Sequence, residues 1–187
     1  MATQGERRAR TRQALLDAAA ELFAERGVEG ASVDAIAEKA DRTSGALYDH
    51  FGSKDGLLFA LLEGWVDDVA AVAVAELSTT TTLEERMAVL WRNVADPVVG
   101  DGRWIALEHE LWSYAARNEE ARQYLARRYR AIWDAVDQGV ARGVGPALIG
   151  LLLGLEMMRR VDPDAVSDDL AVAALTGVVR SQTGAPT

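Results

Sequence analysis

Apolar residues recur along this chain at helical spacing almost from end to end. Leu15, Ala18, Ala19, Leu22 and Phe23 fall at i, i+3, i+4, i+7 and i+8, one face of a first helix, and Gly27 follows as its stop. Ser32 suits the N-cap of a short helix whose inward face is Val33, Ile36, Ala37 and Ala40. Thr43 or Ser44 can cap a second short helix with Leu47 and Phe51 inward, broken by Gly52. Ser53 opens a third, in which Leu57, Leu58, Leu61, Leu62 and Trp65 carry the pattern toward Leu77. Residues 79–82 are all threonine and read as a loop; Thr82 with Glu85 has capping-box spacing and starts a helix to about Val94. Asp96-Pro97 and Gly100-Asp101-Gly102 predict a break. Helices are then predicted over 104–117, 119–141 and 146–160, and, after Asp162-Pro163, from the cap Ser167 to Arg180, with a frayed tail from Thr183. Alternating strand patterns are missing, so the expected fold class is all-α.

Two short helices joined by a turn near Ala40-Asp41-Arg42, with small Ala37 where they meet, describe a helix-turn-helix. In that motif the second helix enters the major groove of DNA with its N-terminal residues toward base edges. Gly45 then has a purpose. A glycine inside a helix costs about 1 kcal/mol relative to alanine, and here it removes the side chain that would hold the backbone away from DNA. Thr43 and Ser44 offer short hydroxyls at the groove-facing end, and Tyr48 and His50 can reach phosphates. Lys54, in the first turn of the next helix, combines its charge with free backbone N–H groups. Each has a plainer reading too: Tyr48 as a core aromatic, His50 as a partner of the helix C-terminus, Lys54 as an ordinary surface lysine.

Charge qualifies this picture. The 187 residues carry a net charge of −9, which argues against indiscriminate binding to polyanions and requires any DNA contact to come from local charge. Residues 1–56 hold eight Lys or Arg against ten Asp or Glu, a net of −2. One basic cluster exists, the N-terminal arm with Arg7, Arg8, Arg10 and Arg12 against Glu6 alone, so Arg8 and Arg12 join the candidate DNA contacts. The chain has no cysteine, which removes disulfides and thiolate zinc sites and suits a cytoplasmic location. Its N-terminus has no apolar stretch of a signal peptide. The most lipid-like run, "PALIGLLLGL" from Pro146, is ten residues long, whereas a bilayer span needs roughly 20. No membrane association is expected.

The pieces "ALLDAAAELFAERG", "SVDAIAEKA" and "SGALYDHFGSKDGLL", in this order and without a gap from about Thr11 to Trp65, resemble the DNA-binding domain of the TetR family of transcriptional regulators. The resemblance implies a helix-turn-helix domain over 1–52 and a helical ligand-binding and dimerisation domain over 53–187. It implies a homodimer that represses transcription from a pseudo-palindromic double-stranded operator until a small-molecule effector, apolar or aromatic, releases it. Ser32, Arg42, Thr43, Ser44, Tyr48, His50 and Lys54 stand at positions matching family DNA contacts, and Gly45 at that of the close-approach glycine. Three positions depart from the pattern: Asp41 replaces a common turn glycine, Arg42 a common apolar residue, and Asp49 adds a negative charge to the reading helix.

The resemblance also implies a pocket in the helical body, apolar with a few polar groups. Trp91, Trp104, Trp112, Trp133 and Met157 are the large side chains available, with Glu108 and His109 as polar candidates and Glu110 nearby. Aromatics at this spacing also serve as plain core. The two last helices occupy the family's dimer-forming place; Leu148, Leu151, Leu152 and Leu155 form an apolar stripe, and Gly150 and Gly154 permit close helix approach. Burial of that stripe within one chain is the alternative. Glu108-His109-Glu110 has no metal-ligand spacing, since neighbours on a helix point apart. Phosphate-binding glycine loops are absent and nucleophilic triads have few parts, so neither an enzyme nor a cofactor is expected. The rival function is a helical small-molecule-binding or scaffold protein without specific DNA binding, which accounts for the body but not for the helix-turn-helix.

Overall fold

The computed structural model describes residues 3–96 and 103–184, and all their elements are helices: α1 (Gln4–Gly30), α2 (Val33–Lys39), α3 (Ser44–Phe51), α4 (Lys54–Leu77), α5 (Leu83–Ala95), α6 (Arg103–Ala115), α7 (Glu119–Gly139), α8 (Gly145–Val161) and α9 (Asp168–Thr183). The break expected at Pro97 and Gly100–Gly102 and the last residues of the tail, 185–187, lie outside the described residues. The boundaries follow short-range chemistry. Ser32, Thr43, Thr82 and Ser167 each accept a hydrogen bond from the backbone N–H three residues on, at 3.1–3.2 Å; each such cap contributes about 1 kcal/mol.

One segment differs from its expected form. The basic residues before Gln13 are not an arm but the first turns of α1. Thr3 accepts the N–H of Glu6 at 3.2 Å while the Glu6 carboxylate accepts the N–H of Thr3 at 2.7 Å. This capping box satisfies two otherwise orphaned donors and starts the helix ahead of the arginines.

The turn between α2 and α3 is closed by two backbone bonds, Arg42 N–H to Ala37 at 2.8 Å and Asp41 N–H to Glu38 at 3.0 Å. This Schellman arrangement needs a left-handed residue. Asp41 supplies it with φ 53°, alone among the described non-glycine residues. A left-handed conformation costs a non-glycine residue roughly 1 kcal/mol. Asp41→Gly is therefore expected to raise the stability measured by urea unfolding by about 1 kcal/mol; a variant no more stable than the parent would show that this residue carries no strain.

The chain packs as two compact units, Met1–Asp67 with Val99–Leu125, and Asp68–Val98 with Ala126–Thr187. In the first, α1 packs on α2, α3 and α6, and α2 on α3. Its interior holds Leu15, Phe23, Ile36, Leu47, Leu57 and Leu111, all at or near zero exposure. In the second, α5, α8 and α9 pack mutually around Met87, Trp91, Leu148, Leu152 and Leu175. Leu148 and Leu152, expected on a stripe offered to a partner, thus belong to the unit's own core. The reason is helical register. They sit four apart on the face α8 turns inward, which leaves Gly150 and Gly154 on the outer face, with open space around both. Among the described residues no helix is long and apolar enough to cross a membrane.

Candidate nucleic-acid interface and effector-contact residues

Leu47 anchors α3 with no exposed surface, and the rest of the helix is arranged around that anchor. Gly45, Tyr48 and Asp49, at i, i+3 and i+4, all lie on the exposed side, with Arg42 and Thr43 exposed just before them. Tyr48 is 53% exposed, unusual for a large aromatic. The structure therefore gathers Arg42, Thr43, Gly45 and Tyr48 on one outward surface.

What surrounds Gly45 is informative. A Cβ added there would meet only the Thr43 hydroxyl at 3.8 Å, an ordinary contact. Nothing inside the protein demands glycine at this position, so its helix-weakening effect has no internal compensation. The polar neighbours are less free. Thr43 Oγ1 accepts the Ala46 N–H, and Ser32 Oγ accepts that of Ala35, which leaves both hydroxyl protons to donate outward. The Ser44 hydroxyl donates to Asp34 at 2.5 Å and ties α3 to α2. Asp34 stands in the first turn of α2, where its charge also suits the positive end of that helix. The Arg42 guanidinium folds back on the Asp41 carbonyl at 2.6 Å and near its carboxylate at 3.8 Å.

Arg8 and Arg12 lie one turn apart on the exposed surface of α1. The Arg12 guanidinium sits over the Phe51 ring, 5.5 Å from its centroid, so the end of α3 and the basic turns of α1 meet. His50 lies beside this contact, its ring 5.9 Å from that of Phe51. Burial first, then the cations of Arg8 and Arg12, holds the His50 imidazole below its usual pKa against the opposing charge of Asp49. Lys54 is placed differently from the rest. Its Nζ donates to the Val28 carbonyl at 2.8 Å and the Ala31 carbonyl at 3.1 Å, which leaves one N–H for any phosphate.

The expected effector contacts divide between the units. Trp104, Glu108, His109 and Trp112 all lie on α6 in the first. Glu108 is 1% exposed and its Oε1 accepts the Trp112 indole N–H at 3.3 Å, while Trp112 itself is half exposed. Trp91, Trp133 and Met157 belong to the second unit. Trp91 is buried, donates to Asp168 at 2.8 Å and lies under the Arg159 guanidinium, yet it lines a cavity of about 230 Å³. Trp133 is half-buried beside Tyr129, and Met157 is 43% exposed. A groove of about 810 Å³ between α5 and α9, lined by Ala88, Val172, Ala173, Thr176 and Gly177, was not foreseen from sequence. It depends on which faces of two helices far apart in sequence come together, as Trp91 and Asp168, 77 residues apart, do.

Comparison with known proteins adds to this geometry. The family model "Bacterial regulatory proteins, tetR family" matches residues 15–61. The chain is 41% identical over 156 residues to the HTH-type transcriptional repressor KstR2 of Rhodococcus jostii strain RHA1, covering 79% of this chain and 74% of that one. Its fold is similar to that of a member of the TetR family from Streptomyces coelicolor A3, with TM-score 0.74, 25% identity and coverage of 90% and 97%. It is also similar to the multidrug binding protein EbrR complexed with imidazole, with TM-score 0.72, 25% identity and coverage of 89% and 93%.

Proposed function

Because the chain belongs to the TetR family of bacterial transcriptional regulators, we propose that it is a repressor: a homodimer that seats α3 of each copy in a pseudo-palindromic operator and leaves it when a small apolar or aromatic effector binds. The observation that carries this reading is Gly45, an exposed helix-interior glycine with no internal reason to be glycine. A scaffold or carrier would have no use for it. Arg8, Arg12, Ser32, Arg42, Thr43, Ser44, Tyr48 and His50 are the proposed contacts, with Lys54 contributing its one remaining donor. The proposed functional division is 1–52 for DNA and 53–187 for effector and dimer.

The outer faces of α8 and α9 support the homodimer. Gly150 and Gly154 admit a close helix approach, and Met158, Val161 and Leu170 are at least half exposed. Proposed effector contacts are Trp104, Glu108, His109 and Trp112 in the first unit and Trp91, Trp133 and Met157 in the second. The imidazole held by EbrR supports an aromatic effector for this fold.

The test is a mobility shift on duplex DNA from upstream of the chain's own gene, repeated from 50 to 200 mM salt. A discrete complex that resists nonspecific competitor is expected, and its absence would overturn the reading. Replacing Arg8 and Arg12 together by glutamine should weaken binding and flatten the log–log salt slope by about 1.8, the release expected for two phosphates. An unchanged slope would remove these arginines from the contact set.

A further inference from the structure

Glu110, Tyr114, Arg117 and Asn118 recur at i, i+4, i+7 and i+8, along one face of α6 and the turn that ends it. All four reach the corners of the helix-turn-helix. Glu110 Oε1 accepts the Val28 N–H at 3.0 Å across 82 residues of sequence. The Tyr114 hydroxyl donates to the Asp55 carboxylate at 3.0 and 3.2 Å, in the first turn of α4. Asn118 donates to the Tyr114 oxygen at 2.6 Å, reaches Asp55 at 3.3 Å and accepts the Ala121 N–H. Arg117 pairs with Glu29 at 3.1 Å.

The Val28 residue is thus gripped on both sides, its N–H by Glu110 of α6 and its carbonyl by Lys54 of α4. The backbone before it takes a conformation that calls for glycine. Gly27 sits at φ 71° and ψ 168°, a region that only glycine occupies readily, and a Cβ there would lie 2.7 Å from Glu110 Oε1. Burial and the neighbouring Asp55 push the Tyr114 hydroxyl up to about 12, so it remains a donor at any physiological pH.

We propose that Glu110 and Tyr114 are positioning residues for DNA reading: by holding Val28 and the start of α4 from α6, they fix the angle at which α2 and α3 are presented. This rests on the reading that α3 enters the operator. Apolar side chains slide past one another with little loss, but a hydrogen bond weakens steeply with misalignment. A polar joint therefore ties the set of the reading helix to the place of α6, though neither residue faces DNA.

The test uses the full chain and the DNA site that the wild-type protein protects upstream of its own gene. Glu110→Ala should bind that site roughly tenfold more weakly, with faster hydrogen exchange at the Val28 amide, while Glu110→Gln, which keeps an acceptor, should restore most of both. Tyr114→Phe retains the ring and should lose about fivefold, which keeps the proposal open to refutation if Glu110→Ala folds poorly. If Val28 exchange accelerates while operator affinity stays at the wild-type value, or if Tyr114→Phe binds normally, the proposal is wrong. A wild-type protein that protects no site removes its premise instead, which is a different failure from variants that bind as well as the parent.

Discussion

Gly45→Leu is expected to fold as well as the wild-type chain and to lose operator binding by about 100-fold or more. The structural half of this expectation follows from open space. The position is exposed and its only near neighbour is the Thr43 hydroxyl, so a larger side chain projects outward without meeting protein. The functional half follows from what must approach that space. A leucine there would push the α3 backbone back from DNA and break both the proposed phosphate contact of Tyr48 and the proposed base-edge contacts of the preceding turn. Good base-edge pairs contribute about 1–3 kcal/mol each, and 1.4 kcal/mol is tenfold in affinity. The milder Gly45→Ala separates the two halves more sharply. It should stabilise the protein by about 1 kcal/mol, the helix propensity regained, while still weakening the operator complex. A Gly45→Leu protein that binds DNA with normal affinity would falsify the placement of this helix in the groove.

What the sequence disclosed and what it concealed differ by range of interaction. Ser32, Thr82 and Ser167 announce their helices, and Thr43 or Ser44 announces α3, because a cap acts over three residues; in the structure Ser32, Thr43, Thr82 and Ser167 act as the caps. The inward positions of α1 to α4 were legible for the same reason, since Leu47, Leu57, Leu58 and Ile36 occupy one helical face each. The helical state of the basic segment was equally available. Thr3 and Glu6 have the same capping-box spacing as Thr82 and Glu85, so the helix start is written in the residues just ahead of the arginines. Other facts depend on partners far along the chain. Lys54 meets carbonyls 23 and 26 residues away, and Glu110 an N–H 82 residues away. No local pattern separates a lysine that clamps a corner from one that faces solvent. The tryptophans pose the same difficulty. Trp91 and Trp112 both sit at plausible helical positions, yet one is buried with its indole engaged and the other is half exposed. Only the packing of whole helices decides between them.

Gly56→Ala should do the opposite of Gly45→Ala, although the two glycines stand eleven residues apart and each lies within a helix. At Gly56 the space is already filled. A Cβ would sit 2.1 Å from the Phe51 carbonyl oxygen and 3.2 Å from its carbon, and a backbone atom cannot turn aside as a flexible side chain does. Phe51 is also held in place, since the Gly52 N–H bonds back to Tyr48 at 2.8 Å and the Arg12 guanidinium lies over the Phe51 ring. Nor can α4 withdraw freely, because the Gly56 N–H is bonded to Ser53 Oγ at 2.9 Å and the adjacent Asp55 is bound by Tyr114. The corner between α3 and α4 must open to admit one methyl group. Overpacking of this kind costs typically 1–3 kcal/mol, and the rigidity on both sides argues for the upper end. That outweighs the helix propensity gained, about 1 kcal/mol, and leaves a net loss of about 2 kcal/mol. For a chain of this size, thermal unfolding should then begin to show a midpoint lower by roughly 4–8 °C. Operator affinity should fall as well, since Phe51 and His50 stand at the corner being forced apart. A Gly56→Ala protein that melts at or above the wild-type temperature would mean that α3 and α4 do not meet as described, and the placement of His50 beside the α1 arginines would fall with it.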